Sequence, residues 1–157
     1  MSFHPGRLAK LYYNSGTYAS PTWVEIVRVS DVNVNMTKNT GSVTTRESPD
    51  QKTVIGSKIF QLTATYHEKI AADSVLDAIL TSYMADTPDD TGGKMDMAAM
   101  NQDIETSGST GVRGQFAVTE LSRAEPVNDS VTRSVTWEEV DHEESDSVVD
   151  VVEFTTS

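Results

Sequence analysis

Gly111-Val-Arg-Gly-Gln-Phe-Ala-Val-Thr-Glu-Leu-Ser-Arg-Ala-Glu-Pro-Val-Asn-Asp-Ser-Val-Thr-Arg-Ser-Val-Thr-Trp-Glu-Glu-Val140 decides the fold class. Two runs of β-formers flank a turn built on Pro126, Asn128 and Asp129. That pattern predicts a long antiparallel hairpin. Upstream, Lys58 to Tyr66 has a clean two-residue period, with Phe60, Leu62, Ala64 and Tyr66 on one side and Ile59, Gln61, Thr63 and Thr65 on the other. Alternation of this kind predicts a half-buried strand.

Shorter β-rich pieces run from Leu8 to Tyr13, closed by a turn at Asn14-Ser-Gly16, and from Trp23 to Val27. From Val27 to Met36 the residues alternate, but the apolar positions change face near Ser30-Asp31, which predicts a bulge or break there. Asn39-Thr-Gly41-Ser is expected to turn the chain. Val43 to Lys58 is polar and lacks a sustained apolar face, so it reads as a flexible hairpin or a long loop, with surface disorder as the plainer alternative.

One helix is expected, from Asp73 to Met84. Val75, Leu76, Ile79, Leu80, Tyr83 and Met84 fall on one stripe, and Asp73 or Ser74 supplies the N-cap. Asp86 to Lys94 reads as a loop and Met95 to Met100 as a short strand whose methionines fill core more readily than they form a contact surface. Gln102 to Gly111 reads as a flexible connection. Asp141 to Asp146 is expected to break structure by charge density, and Val148 to Phe154 to form a short terminal strand or an arm. The sum is an α+β domain, mainly antiparallel β, with a single helix packed on the sheets.

The chain has 157 residues, enough for one ordinary domain to bury roughly 70% of its unfolded surface. It has no cysteine, which removes disulfides, thiolate zinc sites and cysteine nucleophiles, and which suits a reducing cytoplasm. No apolar run approaches the ~20 residues of a membrane helix, so no membrane anchor is expected. The first residues carry no signal pattern for secretion. The net charge is −12 and uneven: residues up to Arg133 carry 12 basic and 16 acidic groups, whereas eight acids and no Lys or Arg follow Ser134. Such a field repels phosphate and argues against a basic-patch nucleic-acid binder.

Chemistry is hard to find. His67-Glu68 begins like a zinc-protease helix, but position 71 is not a histidine; His4 and His142 stand alone. Asp86 to Gly92 lacks the ligand spacing of a calcium loop. There is no phosphate-cradling glycine loop and no Gly-x-Ser-x-Gly elbow. Neither enzyme nor cofactor is expected.

The pieces Gly6-Arg-Leu-Ala-Lys-Leu-Tyr-Tyr-Asn14, Tyr18-Ala-Ser-Pro-Thr-Trp23, Asp31-Val-Asn-Val-Asn-Met-Thr-Lys38, Thr44-Thr-Arg46, Asp96-Met-Ala-Ala-Met-Asn-Gln-Asp-Ile104 and Phe116 to Pro126 follow one another in a telling order. Together they resemble the major tail tube proteins of long, non-contractile phage tails. The resemblance implies a β-sandwich or barrel with one flanking helix, whose copies form rings, usually of six, that stack into a tube. Four strands per subunit would line a channel through which DNA passes without specific binding. Residues 1–140 would be the tube domain, with 41–58 an inter-ring loop, and 141–157 an acidic C-terminal arm. Thr44, Thr45, Arg46, Glu47, Pro49, Asp50, Lys52 and Val54 are the candidate contact residues. The implied partners are further copies of the chain, a tape-measure protein and a tail terminator, in a virion tail assembled in the host cytoplasm. The competing reading is a secreted β-sandwich binding module, for example for carbohydrate, which would need an aromatic platform, whereas only 7% of residues are aromatic and Trp23 and Trp137 both fall in expected strands; an enzyme ranks third.

Overall fold

Alternating and helical apolar patterns along the chain give ten strands and one helix among the described residues: β1 Lys10–Asn14, β2 Trp23–Glu25, β3 Val29–Val43, β4 Lys52–His67, α1 Ser74–Met84, β5 Met95–Met100, β6 Thr110–Ala124, β7 Thr132–Glu139, β8 Glu143–Glu144, β9 Ser147–Val148 and β10 Val152–Thr155. This computed structural model describes residues 3, 5–17, 19–87, 90, 92–140, 143–144, 147–148 and 152–156. His4, Tyr18 and His142, parts of the Asp86–Lys94 loop and most of the acidic 141–151 segment lie outside them.

The strands form one antiparallel sheet in the order β2-β1-β5-β6-β7-β4-β3, with β10 added beside the start of β6. The hairpin expected from Gly111 to Val140 is β6–β7, paired from Phe116↔Glu139 to Ala124↔Thr132. β6 is the hinge of the sheet. Its first half, Gly111 to Phe116, pairs with β5, and its second half pairs with β7 on the opposite edge. At the start of β6 the backbones approach so closely that a Cβ on Gly111 would lie 2.1 Å from the Ala99 carbonyl oxygen. No larger residue fits there without parting β5 from β6.

The two halves of the sheet share one core. Leu11, Tyr13, Met95 and Met97 from one half meet Leu62, Ala64, Tyr66, Val135 and Trp137 from the other, with Phe116 and Val118 of β6 between them. The sheet therefore curls over itself, as a sandwich or barrel does. It stays open: among the described residues β2 pairs only with β1 and β3 only with β4. Register shifts at Ser30/Asn33 in β3, at Lys58/Ile55 in β4 and at Val118/Glu120 in β6 supply the extra residues that let long strands bend. The first coincides with the expected face change, and there Asp31 adopts a left-handed φ of 53°.

Helix α1 closes the core through Val75 and Ile79. Asp73 caps it, accepting from the Val75 and Leu76 amides, and also accepts from the Tyr66 hydroxyl. The expected stripe is right for its first two turns only: Tyr83 and Met84 are exposed, and Ser82 is buried instead. Ser82 Oγ donates to the Gly93 carbonyl and accepts from the Val118 amide, stitching the helix to β6 with polar bonds that a hydrophobic pattern does not reveal.

Other expectations need correction. Lys10, not Leu8, begins β1, because Gly6–Leu8 forms a 3-10 turn. The chain does not turn at Asn39–Ser42; β3 continues to Val43, and the turn lies between it and Lys52. Cross-strand backbone bonds to β4 hold those polar residues extended where no core is available. The Gln102–Gly111 connection is pinned, not loose: Ile104 is buried with its amide donating to the Tyr12 hydroxyl, and Ser109 Oγ donates to the Asp103 and Thr106 carbonyls. Met95, Met97 and Met100 are all buried. In the acidic segment, β8 and β9 pair with each other despite the charge density, and β10 is the terminal strand.

Truncating the fully buried Trp137 to Ala is expected to cost about 3–5 kcal/mol in urea unfolding, the usual range for a large aromatic in a packed core. A second expectation concerns acid. Burial pushes the Asp73 carboxyl up, but the bonds from Tyr66, Leu76 and Val75 outweigh it and leave the group below the ordinary carboxylate value. Because the folded-state value is depressed, its contribution is present above the unfolded value and lost as pH falls through the folded one. Asp73→Asn should therefore flatten the stability–pH profile on the acid side of pH 4, read by thermal melts; an unchanged slope would show that the cap carries none of it.

Candidate assembly interface

Three surfaces follow from this architecture. The first is an arm. β3 and β4 pair without interruption from Val29↔Tyr66 to Val43↔Lys52, apart from two bulges, and the outer part of this hairpin leaves the core. From Asn35 to Gly56 nearly every residue is exposed. The eight candidate contact residues gather at its end: Thr44, Thr45, Arg46, Glu47, Pro49 and Asp50 in the turn, with Lys52 and Val54 opposite Val43 and Gly41. Sequence reading missed Met36, Val43, Ile55 and Ile59, which the arm holds in solvent; Met36 is 60% and Ile55 63% exposed. Their signal was present as isolated apolar residues in a polar β-prone run.

The second surface is a pair of free strand edges. β3 has no strand on the side away from β4 among the described residues. β6 from Ala117 to Ala124 likewise has none on the side away from β7, because β5 stops opposite Phe116. Both edges bound the same four-stranded unit, β6-β7-β4-β3.

The third is the face of that unit turned from the core. Reading the register across it gives Asn35, Gln61, Glu138 and Ala117 in one row, then Asn33, Thr63, Thr136 and Glu120, then Ser30, Thr65, Ser134 and Ser122. No Lys or Arg stands in those rows. Lys38, Lys58, Arg123 and Arg133 of the same strands occupy the opposite parity, with Arg133 and Arg123 both paired to Glu68, whereas Lys52 at the arm's end and Arg113 in the first half of β6 lie on the outer parity beyond these rows. Period-two alternation thus leaves the three rows beside the core without a cation.

On the other half of the sheet, the face turned from the core is fastened by polar bonds. Arg113 makes a two-pronged pair with Asp96, Nη2 to Oδ2 at 2.7 Å and Nε to Oδ1 at 3.2 Å, and lies 4.9 Å above the Trp23 ring. Asn14 Nδ2 donates to the same carboxylate, while its Oδ1 accepts from the Gly16 and Thr22 amides. The pair is nearly buried, so it fixes β1 and β2 against β5 and β6. Trp23 is committed here and Trp137 is sealed in the core, so neither offers a platform for a sugar ring. His67 bridges two hydroxyls, Ser30 Oγ at 3.0 Å and Ser130 Oγ at 3.2 Å, with no carboxylate to complete a catalytic set among the bonds it makes. Among the described residues no group of three His, Asp or Glu side chains is placed to hold a metal ion.

The sequence matches no protein-family model and no curated protein. Solved structures do share the architecture. A chain of the SPP1 tail tube aligns with a TM-score of 0.68 at 13% identity, covering 96% of this chain and 78% of that one. A chain from the tail of an empty gene transfer agent particle, refined with C6 symmetry, aligns at 0.64 with 16% identity, over 87% of this chain and 93% of its own. A chain from the sheath–tube complex of an extracellular contractile injection system aligns at 0.59 with 12% identity, over 97% and 91%. The open antiparallel sheet with its one flanking helix is the tail-tube fold.

Proposed function

We propose that this chain is the structural, non-enzymatic subunit of a phage-type tail tube, forming rings that stack into a hollow cylinder. The observation that carries the reading is the β6-β7-β4-β3 unit, with an edge on each side that no strand covers among the described residues and, between them, three rows without a cation. An exposed strand edge invites pairing with another chain. Here the β3 edge of one copy would meet the Ala117–Ala124 edge of the next, each subunit adding four strands to a continuous wall. Identical rotations close such a contact into a ring, and a translation repeats the ring as a filament. A ring of six is the expected count, in line with the C6 symmetry used for the gene transfer agent tail.

Closing the wall in this sense turns the Asn, Gln, Thr, Ser and Glu rows toward the bore. DNA would slide past them, since there are no cations to bind phosphate by releasing counterions. The arm, with Thr44 to Asp50 at its tip, would contact the next ring. Residues 1–140 serve as the tube domain, and 141–157 as an acidic arm fastened to β6 through β10. A tape-measure protein in the bore and a terminator at the end are the partners this role requires, and the virion tail is its place.

Electron microscopy of concentrated protein should show rings or tubes; a monomer under every condition would refute the proposal. Replacing Thr44–Gln51 with an Asn-Gly turn should leave the melting temperature nearly unchanged while abolishing stacking, because the excised residues touch no core. Normal tubes from that variant would remove the arm from the contact. A third test addresses the bore. Gln61→Lys with Thr136→Lys should make assembled tubes retain DNA in a salt-dependent way in co-sedimentation, where the parent tubes retain none; equal retention would place this face elsewhere.

A further inference from the structure

The open ends of the sheet, β2 and the base of β3, border a cleft of about 850 Å³. Leu11, Ile26, Val29, Val34, Ala99 and Met100 contribute its apolar lining. At its margin Val27 and Val32 are exposed, with Asp31 beside them and Glu25 paired to Lys10 of the same lining. An apolar cavity of about 150 Å³ already takes a benzene-sized group, so this one has room for several aliphatic side chains.

We infer that the cleft is the socket for the β3–β4 arm of a second copy, with Val43, Val54 and Ile55 entering it. This deepens the tube reading and rests on it. Three observations select that occupant. The first is reach. Val34 in the cleft wall and Val43 at the arm's end are nine residues apart on one continuously paired strand, roughly 30 Å at strand rise, so a subunit cannot seat its own arm. The second is hydrophobicity. Val43, Val54 and Ile55 are each about half exposed or more, beyond any core of their own subunit.

The third is charge. Between Met36 and Phe60 the arm carries Lys38, Arg46, Lys52 and Lys58 against Glu47 and Asp50, net +2 in a chain of −12, which leaves −14 on the remainder. Lys38 sits directly opposite Lys58, a like-charge cross-strand pair that is unfavourable alone. Neither lysine has an ion-pair partner among the described residues, and neither does Asp31 at the mouth of the cleft. Docking would bring arm cations toward Asp31 and onto the strongly acidic remainder of the chain. Plug and socket lie at opposite ends of one strand, so the contact is head-to-tail and propagates along the tube axis.

The absence of cysteine allows a direct test. Val54→Cys protein is mixed with Val32→Cys protein, polymerised, and treated with a short bismaleimide; a parallel mixture uses Ile70→Cys, an exposed apolar position outside the cleft. The expected result is a covalent dimer in the polymer from the Val54/Val32 mixture and none from the Val54/Ile70 mixture. Tubes that form but join Val54 to Ile70, or to neither, overturn the socket and leave the tube reading standing. A protein that never polymerises defeats both. As a second readout, Val32→Lys should stay folded by circular dichroism and raise the critical concentration for stacking at least tenfold, about 1.4 kcal/mol per contact; an unchanged critical concentration overturns the socket.

Discussion

Backbone amides and carbonyls along a strand edge need partners, and two long edges have no strand beside them among the described residues, although Ser82 Oγ takes the Val118 amide on one of them. Elsewhere aromatic and aliphatic residues from both halves of the sheet meet over α1, and the hinge strand β6 holds the halves together. What is left over is directional. The β3 edge and the second half of β6 run along opposite sides of the same four strands, so the groups they leave open can be matched only by another sheet presenting the complementary edge. An identical copy is the simplest such sheet. In the proposed tube, the hollow assembly would follow from hydrogen-bond accounting more than from any particular side chain.

That economy explains where the sequence spends its strong interactions. The nearly buried Arg113–Asp96 pair and its Asn14 and Trp23 neighbours lie on the half away from the open edges, and the Glu68 pairs with Arg123 and Arg133 hold the far end of the β6–β7 hairpin. These contacts tie the strands of the scaffold together, and the bulges in β3, β4 and β6 set its curvature at defined positions. In the proposed tube such a fixed curvature would set the size of the ring, where a freely flexing wall would close into rings of varying size.

Much of this was legible in the residues. Phe60, Leu62, Ala64 and Tyr66 revealed their strand because one face is buried; Asp73 revealed the helix start because capping is local chemistry. The β6–β7 hairpin was readable from its turn residues. The arm was not, because its strands are held by cross-strand backbone bonds and show no hydrophobic period, so β3 was expected to end too early. Ser82 escaped notice for a related reason: its burial is earned by two hydrogen bonds, and nothing in a helical wheel distinguishes it from a solvent-facing serine. The candidate contact residues at the tip came from resemblance and fall together in space, whereas the cleft proposed as their socket joins positions from Leu11 to Met100 that no linear pattern connects.

The sorting of apolar residues to one face of β4, β6 and β7 has a genetic corollary. Inserting or deleting a single codon in these strands would exchange the two faces beyond that point, sending aromatic and aliphatic residues outward and threonines into the core. Two codons at once would restore the parity and merely lengthen or shorten the wall. Length variation among descendants of this gene should therefore accumulate in even steps within the strands, and be free of that rule only in the turns.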